Sequence, residues 1–466
     1  MTSVDGELTG FGPEDAAILA DDVAGPVLRP GEPGFAEETA AFQLALSHRP
    51  AVAVGATSAA DVQAAVVFAE TMGLAVAVLN TGHGAAVSAD GAVLINTRRM
   101  TGVTIDAEEM TARVEAGVRW QQVVDAAAEM SLAPIAGSSP LVGVVGYHLG
   151  GGLSPVLGRP LGYAADHVRS LDVVTADGRL RHVTAEHEPE LFWALRGGEG
   201  NFGVVTAIEF DLFPVTTFYG GGLYFEGEDA AAVLRAYQSF VQDLPDQLSS
   251  SVLLIRTPDL PEIPEPVRGK LVVHVRIAHL GSEEEGARLI APLRAAAPVL
   301  IDYVGEMPFT AIASIHNDPT DPLPTYQRTA MLPDLAPAAV ERLLELVGPQ
   351  AADPVMAVEI RHLGGALARS PKIPNPVGNR DAAFSLFAVD LPGPNGVAAT
   401  EAALDAVIEG MRPWTTGGRC LNFMGAADTA PESVRTAYTP QSYERLLAAK
   451  RRFDPENIFR INHNLA

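Results

Sequence analysis

The segment GSSPLVGVVGYHLGGGLSPVLGRPLG, residues 137–162, places eight glycines in twenty-six positions. Glycine loses more backbone entropy on folding than any other residue. A dense cluster therefore implies that the chain adopts φ > 0 there or passes close to another group. Tight turns between strands are one reading. The residues between the glycines are largely apolar, which favours the other: main-chain amides lying against a large, flat, phosphate-bearing ligand.

At 466 residues the chain is too long for one simple core, and two domains are expected. A hydrophobic content of 47% with 19% charged residues is that of a globular protein. The net charge of -25 repels nucleic acid and anionic membranes. The densest basic run, Lys450-Arg451-Arg452, reads as a solvated helix face. Cys420 is the only cysteine, which excludes an intrachain disulfide and a thiolate metal cluster within one chain. The first 22 residues are acidic, without a basic n-region or an apolar h-region, and no run of eighteen apolar residues occurs. These features predict a cytoplasmic protein with no nucleic-acid or membrane partner.

Residues 1–45 read as an irregular lead with short helices. A buried strand is expected at 51–54, a helix capped by Ser58 and ended by Gly73, and a strand at 74–79 that runs directly into Asn80, Thr81, Gly82, His83 and Gly84. Strands follow at 92–95, 103–106 and 112–116, then a helix at 119–130. Beyond the glycine segment, 168–175 and 180–183 flank the turn residues Ala176-Asp177-Gly178, a hairpin signal. A helix at 189–198 and a long strand at 202–213 complete this half. After residue 215, strands at 221–225, 251–255, 271–278, 357–362 and 384–390 are separated by helices at 228–244, 282–297 and 337–348. That rhythm predicts an antiparallel sheet covered by helices on one face. Proline-rich loops occupy 258–267 and 318–325. A helix at 440–453 precedes the tail 454–466.

Several familiar motifs fail in context. Residues 198–203 satisfy G-x-G-x-x-G, but a helix precedes them and a strand follows, the reverse of the dinucleotide fingerprint. Residues 137–141 lack the closing glycine of a nucleophile elbow. H-E-x-x-H is absent, and His182 and His187 read as surface imidazoles, so no metal site is expected.

Five segments stand in a recognisable order and spacing: VAVLNTGHGAA (76–86), GSSPLVGVVGYHLGGGL (137–153), LGYAADHV (161–168), FWALRGGEGNFGVVT (192–206) and RRFDPENIFRINHNL (451–465). Together they resemble the FAD-linked oxidases of the berberine bridge enzyme type, in the vanillyl-alcohol oxidase and p-cresol methylhydroxylase superfamily. The resemblance implies an α+β chain: a lead (1–45), a two-part FAD-binding domain (46–215), a substrate domain with an antiparallel sheet covered by helices (216–405), and a C-terminal segment returning to the FAD domain (406–466). It also assigns residues. Asn80 to Gly84 would supply donors to the pyrophosphate. Ser138, Ser139, Val142, Gly143, Gly146, Tyr147 and Gly150 would bring the main chain against the ribityl chain and ring. Gly203 and Val205 would lie near the adenosine end. Asn462 and Asn464 would bond the flavin or order a returning strand, with a plain C-terminal anchor as the alternative.

His83 occupies the position at which this family attaches FAD covalently; a histidine that only hydrogen-bonds in a turn is the alternative. The second attachment of many members uses a cysteine where this chain has Ser139, so a single linkage is implied. Val142 stands where valine accompanies direct reaction with O2, although it is equally a core side chain. Substrate oxidation also needs a proton acceptor. Many relatives carry a tyrosine straight after the asparagine of a C-terminal strand, and the matching pair here is Asn422-Phe423. Phenylalanine cannot accept a proton. The replacements to consider are Glu359 and Arg361, on one face of a strand with His362 opposite, then Tyr147, Tyr326 and Tyr438. An exposed Glu359–Arg361 pair is the alternative for the first two. The reading is an FAD-dependent oxidase of secondary metabolism acting on an oxygenated or polycyclic small molecule, bound in an apolar pocket between the two domains and reoxidised by O2. A flavin-dependent monooxygenase and a flavin- or ligand-binding protein without turnover are the rivals.

Overall fold

In a computed structural model of the chain, residues 12–466 are described; the first eleven residues of the predicted lead lie outside them. Ser58 caps the helix Ala59–Met72 by accepting the Asp61 amide at 3.3 Å. This helix joins two strands of a four-stranded sheet ordered Val27–Leu28, Val52–Gly55, Val93–Asn96, Val76–Leu79, the last three mutually parallel. Strand Val76–Leu79 ends at Asn80, so the loop 80–84 emerges from the carboxyl end of a parallel strand.

A second, antiparallel sheet is ordered Val103–Asp106, Thr111–Glu115, Val204–Asp211, Val168–Val174, Leu180–Thr184. It contains the hairpin expected around Asp177-Gly178. Trp120, Tyr147, Phe192, Phe202 and Phe210 pack in the core beside it.

The third sheet is antiparallel throughout. Its order is Val299–Asp302, Thr217–Glu226, Leu271–His279, Leu248–Arg256, Ala357–His362, Phe384–Asp390, Tyr326–Leu332, with Gly305–Pro308 also pairing with Thr217–Glu226. Val299–Asp302, Gly305–Pro308 and Tyr326–Leu332 were not anticipated, nor was the helix Val397–Met411. Alternation along each strand sends Leu223, Val252, Val275, Ile360 and Leu386 into an apolar core beneath the helices Ala230–Phe240, Glu283–Arg294, Pro337–Val347 and Val397–Met411. The intervening residues, among them His274, Arg276, Ser251, Glu359, Arg361 and Ser385, share the opposite face.

Two local expectations are corrected. Lys450 faces inward, not to solvent: its ammonium donates to Asp454 (2.7 Å) and to the carbonyls of Asn201 (2.8 Å) and Phe459 (2.9 Å). Three acceptors satisfy its three protons, so one lysine of a basic run can be buried while Arg451 and Arg452 remain exposed. Asn422 and Phe423 lie in a 3-10 turn, Leu421–Phe423, not at a strand, and the tail 454–466 forms no strand either.

Candidate functional site

The loop after strand Val76–Leu79 holds His83 in a defined pose. The Phe42 ring stacks on the imidazole with centroids 3.8 Å apart, and Phe42 is itself fixed by its amide bonding to the Thr81 carbonyl at 2.8 Å. Thr81 Oγ1 engages His83 Nδ1 at 2.9 Å. The other ring nitrogen, Nε2, is buried without a partner among the described residues. Burial first, and then the Arg119 cation, lower the imidazole pKa to about 4 against the pull of Asp318. His83 is therefore a neutral base with one free nitrogen at ordinary pH. Asn80 Nδ2 donates to the Ala116 carbonyl at 3.0 Å, leaving its buried Oδ1 unpaired.

The glycine segment is laced to the chain at 118–121: the Trp120 amide bonds to the Val142 carbonyl (3.1 Å) and the Gln121 amide to that of Pro140 (2.9 Å). Gly143 lies against Asn80, whose Nδ2 a Cβ there would meet at 2.7 Å. Asn422 clamps the far end. It accepts the Gly152 amide at 2.7 Å and donates to the Tyr147 carbonyl at 3.1 Å, and a Cβ on Gly150 would meet its Nδ2 at 2.4 Å. Gly84 and Gly146 are exposed, and a Cβ on either would meet nothing within 4 Å. Ser139 is buried, Val142 half-buried, and Ser138 donates its hydroxyl to Asp318.

Asp318 brings the proline-rich loop to the glycine segment, and behind it stands the polar sheet face. Register pairs Arg276 with Ser251, Ser251 with Arg361, and Arg361 with Ser385. Glu359 sits between two guanidiniums, accepting from Arg276 at 3.0 Å and from Arg361 at 2.9 Å. All three are buried, which excludes an exposed ion pair. Burial alone would push the Glu359 carboxyl up, but Arg361 and then Arg276 pull it well below the usual carboxylate range. His316 Nε2 lies 3.6 Å from Glu359 Oε1. Neither nitrogen of His316 has a hydrogen-bond partner among the described residues, and burial lowers its pKa. Phe423 covers Arg361, whose guanidinium carbon is 4.9 Å from the ring centroid.

The other candidates fall elsewhere. Tyr147 packs edge-on against Trp120 at 5.2 Å, its buried hydroxyl without a partner and its phenol pKa raised well above normal by burial. Tyr438 is buried in the same core. Tyr326 is on the wrong face for the polar row: it packs against the helix-side core, in line with Arg328, which pairs with Asp405 of the helix Val397–Met411. Residues 326–332 carry too little alternation to mark a strand, so the face of Tyr326 is not legible in the sequence. Gly203, at φ 157, lets its strand pass the Val174 carbonyl, which a Cβ would meet at 2.5 Å. Val205 pairs with Val173 in the antiparallel sheet. Asn462 donates to Phe459 O (3.2 Å) and Asn464 to Ala466 O (2.6 Å), each leaving a buried Oδ1 unpaired. His182 and His187 are exposed as expected.

A family described as an FAD binding domain matches residues 50–184, and one described as berberine and berberine-like matches residues 422–466. Over 460 residues the chain is 28% identical to (R)-6-hydroxynicotine oxidase of Paenarthrobacter nicotinovorans, covering 95% of this chain and 97% of that protein. The chain belongs to the FAD-linked oxidases of the berberine bridge enzyme type. This oxidase is also 26% identical over 464 residues to YvdP of Bacillus subtilis, an uncharacterised FAD-linked oxidoreductase, covering 95% of the chain and 98% of that protein. The crystal structure of 6-hydroxy-D-nicotine oxidase from Arthrobacter nicotinovorans superposes with a TM-score of 0.79 at 25% identity, covering 95% of this chain and 98% of that one. Among the described residues, no helix is long and apolar enough to cross a membrane.

The residues of this FAD-dependent oxidase fit its cofactor. Unpaired buried atoms on Asn80, His83, Asn462 and Asn464 can receive polar groups of a ligand, and Gly84 and Gly146 leave space for close approach. Sequence reasoning passed over Phe42, Arg276, His316, Asp318 and the clamping role of Asn422. For Arg276 a signal existed: the alternation Val273-His274-Val275-Arg276-Ile277 marks a strand with one polar face. Asp318 carries no such mark inside a proline-rich loop.

Proposed function

We propose that FAD is attached covalently to His83 alone, that the substrate is a small oxygenated organic molecule, and that O2 is the final electron acceptor. The observation that carries this reading is His83 Nε2: buried and without a partner among the described residues, on a neutral ring already fixed by Phe42 and Thr81. Ser139 offers no thiol for a second bond, and Cys420 is buried with its thiol pushed up to about 11 by burial. When bound, FAD supplies a hydride acceptor for the substrate and a reductant for O2.

The chain's own groups do the rest. Asn80 and Asn422 hold the two loops that face the cofactor, with Asn462 and Asn464 presenting free carbonyl oxygens from the tail. Gly203 and Val205 line the adenosine end with main chain, and Val142 leaves room for O2. Residues 46–215 and 406–466 form the cofactor half and residues 216–405 the substrate half. Glu359, held charged by two arginines, is a weak base. His316 is neutral with both ring nitrogens free, and it takes the substrate proton while Glu359 stabilises the resulting imidazolium.

Acid precipitation of the purified protein should leave yellow colour in the pellet, and His83→Ala should release it to the supernatant. A colourless wild-type pellet would overturn the tether. Phe423, which has no proton acceptor, favours one alternative, oxygen transfer to the substrate; under labelled O2 only that reaction puts label into the product.

A further inference from the structure

A small cavity of about 20 Å³ opens between the polar sheet face and the turn that follows the glycine segment. Its wall includes Arg159, Arg276, Arg361, His316 and Ser251, and no aspartate or glutamate is among its described lining residues. The chain as a whole has 57 acidic residues against 32 lysines and arginines, so three arginines around one small space are not a by-product of composition.

We infer that this cavity anchors a carboxylate carried by the substrate. The inference rests on the oxidase reading and specifies the substrate class. Each arginine is pre-positioned. Arg159 donates to the Leu248 carbonyl at 2.7 Å. Arg276 donates to His274 (3.3 Å), Glu359 (3.0 Å) and the His316 carbonyl (3.2 Å). Arg361 is held by Glu359 and capped by Phe423. What these contacts leave over is a set of donors. Arg361 Nε and Ser251 Oγ are buried donors without partners among the described residues, and the neutral His316 ring, also unpartnered, adds one N–H. A buried donor left without an acceptor is costly, and a planar carboxylate is the acceptor that matches a guanidinium edge.

The charges fix the valence of the ligand. Glu359 offsets one arginine. Asp318, bound to Ser138, faces the same cluster, and Asp246 near Arg159 is paired with Arg369. One positive charge remains in excess, which suits a monoanion. The donors are already ordered, so little is lost in arranging them on binding.

The test uses the flavin-loaded protein and calorimetric titration in chloride-free buffer at neutral pH, with two isosteric pairs: acetate against acetamide, and benzoate against benzamide. At least one carboxylate is expected to bind about tenfold or more tighter than its amide. Arg361→Gln should abolish that preference. Ser251→Ala should reduce it several-fold with amide binding unchanged, and since the hydroxyl has no protein partner, this variant keeps the fold. Equal binding of acid and amide, or binding of neither by a yellow protein, overturns the inference. Loss of visible flavin absorbance in the wild type would instead sink the oxidase reading, and the titration separates the two failures.

Discussion

Glu359→Gln keeps the volume of the side chain and removes its charge. The two carboxylate oxygens serve different arginines, Oε1 accepting from Arg276 at 3.0 Å and Oε2 from Arg361 at 2.9 Å. The three side chains are only 6%, 8% and 11% exposed, so solvent cannot replace the lost counter-charge. Removing one partner of a buried ion pair costs about 3–5 kcal/mol. Unfolding entropy of roughly 2.1 cal/mol/K per residue amounts to about 1 kcal/mol/K for a chain of this length. The expected fall in Tm is then about 3–5 °C if the chain unfolds as one unit. Differential scanning calorimetry of wild type and variant at neutral pH measures it. The folded-state carboxyl lies well below its unfolded value. Its contribution is therefore present above the unfolded carboxylate value of about 4.3 and is lost as pH falls through the folded value. The difference between the two proteins should hold from pH ~5 upward and close in strong acid. A variant that melts within about 1 °C of wild type, or above it, would refute the claim that this carboxylate is the buried counter-charge that holds both guanidiniums.

Lys450→Met should destabilise the protein by about 3 kcal/mol in urea unfolding, the lower end for a buried pair, because Asp454 keeps the Ile458 and Phe459 amides at 2.9 Å each. His463 contacts Glu199 Oε1 through Nδ1 at 3.0 Å and the Gly425 carbonyl through Nε2 at 3.2 Å; both partners are acceptors, so the ring carries two protons. Burial opposes this, but Glu199 raises its pKa. A raised folded value means stability fully present below the unfolded value of about 6.5 and lost as pH climbs through the folded one. His463→Gln should flatten that decline in a Tm series from mildly acidic to mildly basic pH.

The glycine segment, the 80–84 loop and the α+β class were legible because local chemistry writes them: an Asn-x-Gly-His-Gly turn after an apolar strand, Ser58 as a cap, period-two alternation in the 271–278 and 357–362 strands. Glu359 and Arg361 were correctly placed on one face by that same alternation, but their burial was not, since a strand pattern does not say what covers it. The face of Tyr326 was not legible for a related reason, an edge strand following a proline-rich loop with too little pattern to declare itself. Asp318 and the clamping contacts of Asn422 were invisible. Each acts on a partner far off in the chain, Ser138 and Gly152, and single-sequence spacing carries no record of such meetings. Lys450 shows the opposite failure, a basic run read by composition when its three acceptors come from loops at 201 and 454–459.

The Asn422 amide closes on Gly152 and Tyr147 from some 270 positions downstream, and the tail does likewise on Asn201 and Glu199. A ribosome releases the glycine segment long before it makes any of these fasteners. The Gly152 amide and the Tyr147 carbonyl therefore gain these partners only after the C-terminal segment has been made. A chain ending before position 422 would keep every glycine of the segment and lack the amide that bonds Gly152 and Tyr147.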